Sequence, residues 1–369
     1  MALYRPALLG KEAVRAHVFN PIVISVDAMG GDHGPSAVVP GVVRACQALE
    51  GRGVRFLLHG DQVKLAAALG RRSKFHEQIE IRHADLVISM DEKPGQAMRR
   101  GKGSSMWHAV ESVKTGEAQA AVSAGNTGAL MAISKLLLRM SADLDRPAIV
   151  ASWPSLRGAT TVLDVGANIN CDAERLVDFA IMGEAFHRAI HGVAKPTIGL
   201  LNVGSEDQKG HEEVREAHRL LREGGLPLDY RGFVEGDDIS KGTVDVVVTD
   251  GFTGNVALKT AEGTAKFIGS EMRAAFTNSL MAKIGALIAN RALKTLKRRL
   301  DPNSVNGGPL LGLNGVVVKS HGGANDIGFA NAIIVAADLA QSSFADEIRV
   351  NMEQLTNVLA HTPAEGPQS

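Results

Sequence analysis

Aromatic residues make up only 4% of the 369-residue chain, and cysteine occurs just twice, at Cys46 and Cys171. Neither cysteine stands near a partner at metal-ligand spacing, which excludes a disulfide framework and a cysteine-rich zinc site and fits a reducing compartment. An excess of one charge is missing too. The 40 basic residues balance the 40 acidic ones, so the composition gives no reason to expect a nucleic-acid partner. No uncharged apolar run reaches about 18 residues, so a membrane-spanning helix is not expected. Charges at Arg5, Lys11, Glu12 and Arg15 interrupt any signal-peptide core near the N-terminus. Residues 1–20 therefore read as a flexible extension, 21–350 as the main domain and 351–369 as a helix end with a tail. Neither a GxxxxGK[ST] loop nor a GxGxxG fingerprint follows any strand-like run, which weighs against nucleotide and dinucleotide binding. There is no GxSxG elbow to suggest a serine nucleophile.

What is present is one repeated pattern: a short apolar, β-branched run, a glycine-rich turn, then a helix-like stretch. It recurs at Pro21 to Pro35, Val54 to Gly60, Ala120 to Ala132, Thr160 to Asn168, Thr197 to Gly210 and Val244 to Val256. Continuous apolar strands alternating with helices imply a mostly parallel sheet covered on both faces, a three-layer α/β/α Rossmann-like fold. In such sheets ligands sit beyond the carboxyl ends of the strands, where turn amides and helix N-termini point outward. The turns carry Gly30, Gly31, Gly125, Gly128, Gly166, Gly204, Gly251 and Gly254. One such turn is ordinary strand-to-helix geometry; five of them rich in Gly, Asn, Asp and Ser predict a shared anion site along one rim.

From Glu262 to about residue 305 the spacing becomes helical, with Phe267, Ile268, Met272, Phe276, Leu280, Ile284, Leu287 and Ile288 recurring every three or four residues. Lys283, Arg291, Lys294, Lys297, Arg298 and Arg299 follow without an acidic neighbour after Glu271. This protruding segment reads as a dimer interface, an interfacial membrane anchor, or a dock for an acidic protein; a solvated charged face is the plain alternative.

Seven stretches in order are recognisable together: VDAMGGDHGP, DEKPGQAMRRGKGSSMWHAV, SAGNTGALMA, LDVGAN, LLNVGSEDQKG, DGFTGNV and PLLGLNG. From about Ile22 to about Ala340 the chain resembles the PlsX family of bacterial phosphate acyltransferases. The resemblance implies a cytoplasmic, peripherally membrane-associated homodimer that makes acyl phosphate from acyl-carrier protein and inorganic phosphate. It implies a fold like those of phosphotransacetylase and isocitrate dehydrogenase. It also implies phospholipid synthesis, in which a glycerol-3-phosphate acyltransferase uses the product, and no cofactor. The chain departs from the family pattern at Asn306-Gly307-Gly308 and at Gly323-Ala324, where altered loop detail is expected. Residues 1–20 lie outside the resemblance.

Phosphate is an anionic nucleophile near neutral pH, and the leaving thiol has an unperturbed pKa of about 8.5, so the chemistry needs placement and charge stabilisation more than a base. Orientation contributes on the order of 7 to 11 kcal/mol and each oxyanion donor about 3 to 4 kcal/mol. Lys209 and Asn255 are the leading catalytic candidates. As plain sequence Lys209 reads better as a solvated turn lysine and Asn255 as a capping or turn asparagine; the resemblance places both at positions that serve catalysis. Around them the candidates for phosphate or substrate are Gly30, Gly31, His33, Asn126, Thr127, Gly128, Asn168, Gly204, Asp250, Thr253, Gly254 and His321, with Asp27 and Asp250 as organisers of turns. The pairs Asp27/Asp32 and Asp237/Asp238 lack a third ligand, so turn chemistry accounts for them better than a metal. A phosphotransacetylase acting on coenzyme A thioesters and a non-catalytic scaffold remain as rival readings. A dehydrogenase on the same sheet is disfavoured by the missing dinucleotide fingerprint.

Overall fold

A computed structural model describes residues 22–70, 74–141, 144, 146–293, 295 and 306–342. The first half of the chain forms β1 (Ile22–Asp27), α1 (Pro35–Ala48), β2 (Val54–Gly60), α2 (Gln62–Leu69), β3 (Ile79–His83), α3 (Pro94–Arg100), α4 (Ser105–Lys114), β4 (Ala120–Ser123) and α5 (Thr127–Leu138). There follow β5 (Ala148–Ser155), β6 (Gly158–Leu163), α6 (Ala173–His191), β7 (Thr197–Leu201), α7 (Glu212–Glu223), β8 (Asp229–Val234), α8 (Gly236–Lys241) and β9 (Val246–Val248). The last described elements are α9 (Gly251–Thr277), α10 (Leu280–Ile288), β10 (Gly308–Leu311), β11 (Val316–Lys319) and α11 (Asp326–Gln341). The N-terminal extension and the C-terminal tail read from the sequence lie outside the described residues.

The strands make one sheet in the order β3-β2-β1-β4-β11-β10-β5-β6-β9-β7-β8. Its two flanks are parallel, and the antiparallel pairings are confined to the middle, at β11–β10, β10–β5 and β5–β6. Two continuous cores lie on opposite faces. One is filled from α1, α6, α7 and α11, the other from α3, α4, α5 and α8. Strand β9 shows why the runs are unbroken: Val246 and Val248 enter the first core, Val247 the second, and all three are fully buried. Each such valine contributes about 1.5 to 3 kcal/mol by leaving water. The three-layer, mostly parallel α/β fold expected from the sequence is the one observed.

The middle of the sheet changes the expectation of one rim. Because β5 and β6 form a tight hairpin and β10 also runs against its neighbours, β1 to β5 and β11 run one way, whereas β6 to β10 run the other. The glycine-rich turns therefore fall into two groups at opposite strand ends. Residues 28–34, 124–126 and 320–325 follow β1, β4 and β11; residues 164–168, 202–210 and 249–250 follow β6, β7 and β9. Apolar periodicity reports burial and carries no information on strand direction, so the split was invisible in the pattern.

The helical segment also begins earlier than its spacing suggests. Gly251 to Gly254, expected in a turn, form the first turn of α9, because Asp250 caps it by accepting from the Thr253 N–H at 2.8 Å. The apolar side of α9 and α10 faces solvent, with Phe267 63% and Leu287 74% exposed. Lys283 and Arg291 are exposed beside it; Lys294, Lys297, Arg298 and Arg299 lie outside the described residues.

Candidate active site

The second group of turns is built around Asp164, which is fully buried. Its carboxylate accepts from the backbone N–H groups of Ile149 (3.0 Å), Gly166 (3.2 Å), Ala167 (3.1 Å) and Asn168, and from Asn168 Nδ2 (2.9 Å). Burial raises its pKa, while these donors pull the other way. The Asn168 side chain also donates to the Pro147 carbonyl at 2.9 Å, so this amide is committed to the loop and leaves no donor free for a ligand. The first turn of α9 rests on the same loop. A Cβ at Gly254 would collide with the Asp164 carbonyl, which is why a residue without one stands there. The Thr253 hydroxyl donates to Asp250 at 2.7 Å, so Thr253 and Asp250 act as a cap.

Asn255 follows directly, exposed, with its side chain over Gly166. Lys209 is exposed on the turn after β7, 2.9 Å from Glu206 Oε1 and against Gly204; the carboxylate beside it holds its pKa above the usual lysine value. Among the described residues no hydrogen bond or ion pair joins Lys209 to Asn255. The two share this end of the sheet but stand on separate turns. The pair is exposed and screened by solvent, so the lysine is readily released toward a better anion.

The first group is organised by Asp27, also buried, which accepts from Ser105 Oγ (2.6 Å) and Ser123 Oγ (2.7 Å). Burial raises its pKa and the two hydroxyls oppose that shift. Gly30 lies so close that a Cβ would sit 2.7 Å from the Gly125 nitrogen, and a Cβ on Gly31 would meet the Gly322 carbonyl at 2.9 Å. The three turns are thereby pressed together. Asn126, expected to donate to phosphate, has both ends of its amide occupied: Oδ1 accepts from the Ala129 N–H as the cap of α5, and Nδ2 donates to Met90 and Glu92 carbonyls. Thr127 and Gly128 form the first turn of α5, directly after the Asn126 cap, at the positive end of the helix dipole. His33 is exposed on the β1–α1 turn, its carbonyl accepting from Ser36. Asn306 stitches the β11–α11 turn by donating to Ser320 Oγ (2.7 Å) and accepting from the His321 N–H (2.9 Å).

Helix α9 links the two groups. Lys259, one helical turn beyond Asn255 and on the same face, has its Nζ 3.4 Å from His321 Nε2 and 2.8 Å from Glu262 Oε2. Desolvation, and then the Lys259 charge, lower the pKa of His321. A single helix face thus runs from the Asp164 loop to the turn after β11. Burial pushes the Cys171 thiol up to about 12, which works against a thiolate nucleophile at that position.

Sequence reasoning missed Lys319, the last residue of β11. The protein surrounds it closely enough to lower its pKa to about 8 although it keeps partial contact with solvent. It missed Lys259 and the depth of Asp164 as well. For Lys319 a signal existed: in VVVKSHG a charge ends a buried apolar strand and stands before a glycine turn.

A family model described as "Fatty acid synthesis protein" matches residues 22–347. The chain is 66% identical over 339 residues to a phosphate acyltransferase of Caulobacter vibrioides, covering 92% of this chain and 94% of that one. It is 64% identical over 348 residues to a phosphate acyltransferase of Phenylobacterium zucineum, covering 94% and 98%. Among solved structures, a phosphotransacetylase from Streptococcus pyogenes superposes with a TM-score of 0.56 at 18% identity, covering 87% of this chain and 94% of that one, which shows a shared fold.

Proposed function

From the premise that the chain belongs to the fatty acid synthesis protein family of phosphate acyltransferases, we propose that it transfers a long-chain acyl group from acyl-carrier protein to inorganic phosphate. A phosphate oxygen attacks the thioester carbon, the new C–O bond replaces the C–S bond, and the carrier leaves as a thiolate that takes a proton from solvent. The products are acyl phosphate and free carrier protein. The observation that carries this reading is the face of α9, which sets Asn255 at one group of glycine turns and reaches His321 at the other.

In this reading the turns holding Gly30, Gly31, His33, Thr127, Gly128 and His321 receive the phosphate. Asn255 donates to the thioester carbonyl as it gains charge, and Lys209, released from Glu206, adds a positive charge beside it. Gly204 and Gly254 give the backbone close approach, while Asn126, Asn168, Asp250 and Thr253 hold the loops in place. The exposed apolar side of α9 and α10, with Lys283 and Arg291, serves association with a second copy, with the carrier protein or with the membrane surface. No helix among the described residues is long and apolar enough to cross a membrane. We place the enzyme at the cytoplasmic membrane face as a homodimer, passing acyl phosphate to a glycerol-3-phosphate acyltransferase.

The test is to incubate purified protein with long-chain acyl-carrier protein and phosphate and to measure acyl phosphate and free carrier. Turnover with acetyl-coenzyme A in place of the carrier substrate would favour a short-chain phosphotransacylase. No consumption of either thioester would overturn the enzymatic reading.

A further inference from the structure

Beside the turns after β1, β4 and β11 stands a half-buried cation that the site described so far leaves without a role. Lys319 closes β11, the strand whose register sets it beside Ser123 of β4, and β4 in turn sets Ser123 beside Asp27 of β1. Its ammonium donates to the Ala124 carbonyl at 3.3 Å and to the carbonyl of Ser320. Among the described residues it forms no ion pair. An ammonium has three donors, and two carbonyls leave one N–H and the whole positive charge uncompensated by direct contact. Its surroundings carry both signs: Asp27 on β1 and Asp32 on the β1–α1 turn favour the charged form, and Lys259 on α9 opposes it. His321, one residue after Ser320, lies near enough for the Lys319 charge to help lower its pKa. Keeping a lysine this desolvated is unfavourable unless something uses the charge.

We propose that Lys319 is a binding residue for the reacting phosphate, holding it by a charge-assisted hydrogen bond in the gap between the β1–α1, β4–α5 and β11–α11 turns. The assignment rests on the phosphate-transfer reading and deepens it, dividing the labour between two lysines. Lys319 is a fixed, recessed cation on the sheet that anchors the nucleophile; Lys209 is an exposed, movable one on the far group of turns. The arrangement carries a consequence in pH. Phosphate gains negative charge as pH rises, so its own titration favours binding to a cation. Lys319 loses its proton above about pH 8, so phosphate binding weakens there in spite of the ligand's greater charge.

Lys319→Met and Lys319→Arg, checked for folding by circular dichroism, provide the test through two readouts. In the first, acyl phosphate formation is followed against phosphate concentration from pH 6.5 to 9.5. The Met variant is expected to raise KM for phosphate about ten- to hundredfold, the loss of one hydrogen bond to a charged group, with KM for acyl-carrier protein unchanged. The parent's KM for phosphate is expected to climb above about pH 8, and that climb is expected to vanish in Met and to move to higher pH in Arg. In the second, inorganic phosphate alone is titrated calorimetrically into parent and variants, which needs no turnover. Phosphate binding in the parent and not in Met supports the inference even if the acyl-transfer reading fails. Equal phosphate binding in parent and Met, or a rise of both KM values together as a merely structural tie to Ala124 would give, overturns it. If Met does not fold, an Arg variant whose phosphate binding declines above pH 8 as the parent's does overturns it as well, and an Arg variant that keeps binding there supports it.

Discussion

Asp164→Asn isolates what the buried carboxylate contributes to the shape of the site. In the parent, Oδ1 accepts from Ile149, Gly166 and Ala167, and Oδ2 from Ala167 and from both nitrogens of Asn168. An amide in the same place keeps one oxygen. Its better orientation leaves that oxygen at the Oδ1 position and turns an NH₂ toward the two Asn168 donors. A buried donor deprived of its acceptor costs about 1 to 3 kcal/mol, so two cost about 2 to 6 kcal/mol. Burial of the charge works the other way: it raises the carboxyl pKa, and a neutral amide is relieved of that cost. We expect a net loss of about 2 to 4 kcal/mol, a large fraction of the 5 to 15 kcal/mol by which such domains are stable. Because Gly251 and Gly254 of α9 rest on this loop, turnover should fall at temperatures where the variant is still folded. Urea unfolding of both proteins with matched m-values reads the stability, and phosphate-dependent release of free carrier reads the activity. A variant within about 0.5 kcal/mol of the parent, with unchanged turnover, would refute the claim that the Asp164 network holds the loop.

Lys209→Ala should lower kcat/KM for acyl phosphate formation on the order of 100-fold and leave the urea midpoint unchanged, since its exposed pair with Glu206 contributes little. Asn255→Ala should cost about 100- to 1,000-fold, as for one oxyanion donor, and combining the two should cost less than the product of the single effects if both stabilise one charge. A second prediction concerns pH and stability. Burial lowers His187 and His191 to about 4, below their unfolded value of about 6.5, so the unfolded chain takes up their protons first. The stability they provide is complete above about pH 6.5 and is lost as pH falls toward 4, on the order of 2 kcal/mol per histidine between pH 7 and 5. His187→Gln should flatten that slope in urea melts at stepped pH, and an unchanged slope would count against it. Finally, reversing Lys283 and Arg291 to glutamate should weaken binding to acyl-carrier protein or to vesicles of anionic lipid, measured by sedimentation at low and physiological salt. Unchanged binding in both assays would leave these residues as solvated surface.

The layers of the fold were legible because burial on both faces of a strand forces an unbroken apolar run, as in VDVVVTD around β9. The turn residues were legible for a similar reason, since a close approach such as Gly254 over Asp164 admits only glycine. Direction was not legible. The pattern of β6 would suit either polarity, and only its two-residue connection to β5 reverses it. The side chains that do the holding were misread in a consistent way. Asn126 and Asn168 look like free donors in the sequence, yet each is consumed by backbone groups far along the chain, Met90 for one and Pro147 for the other. Lys319 was passed over because a lysine after three valines resembles the exposed end of a strand. Only the packing of α9 and of the β4–α5 turn around it reveals a recessed charge.

The split of the turns gives α9 a role that no single strand end has. Two anchoring points at opposite strand ends cannot be coordinated by the sheet itself, whose central antiparallel strands separate them. A helix that starts on the Asp164 loop and passes His321 about two turns later can, because its Asn255 and Lys259 move as one rigid face. The same helix runs on to Thr277, so the exposed apolar stretch that begins at Phe267 is carried on the element that holds Asn255 and Lys259. A membrane or a second copy that covers this stretch is then expected to act on Asn255 through the helix rather than through the sheet. A proline substituted for Gly269, in the exposed body of α9 and beyond the turn that carries Lys259, would break this mechanical continuity while leaving both groups of turns intact. Any change that vesicles of anionic lipid make in turnover should then be lost in the variant, with turnover in their absence kept, and an unchanged vesicle effect would refute the coupling.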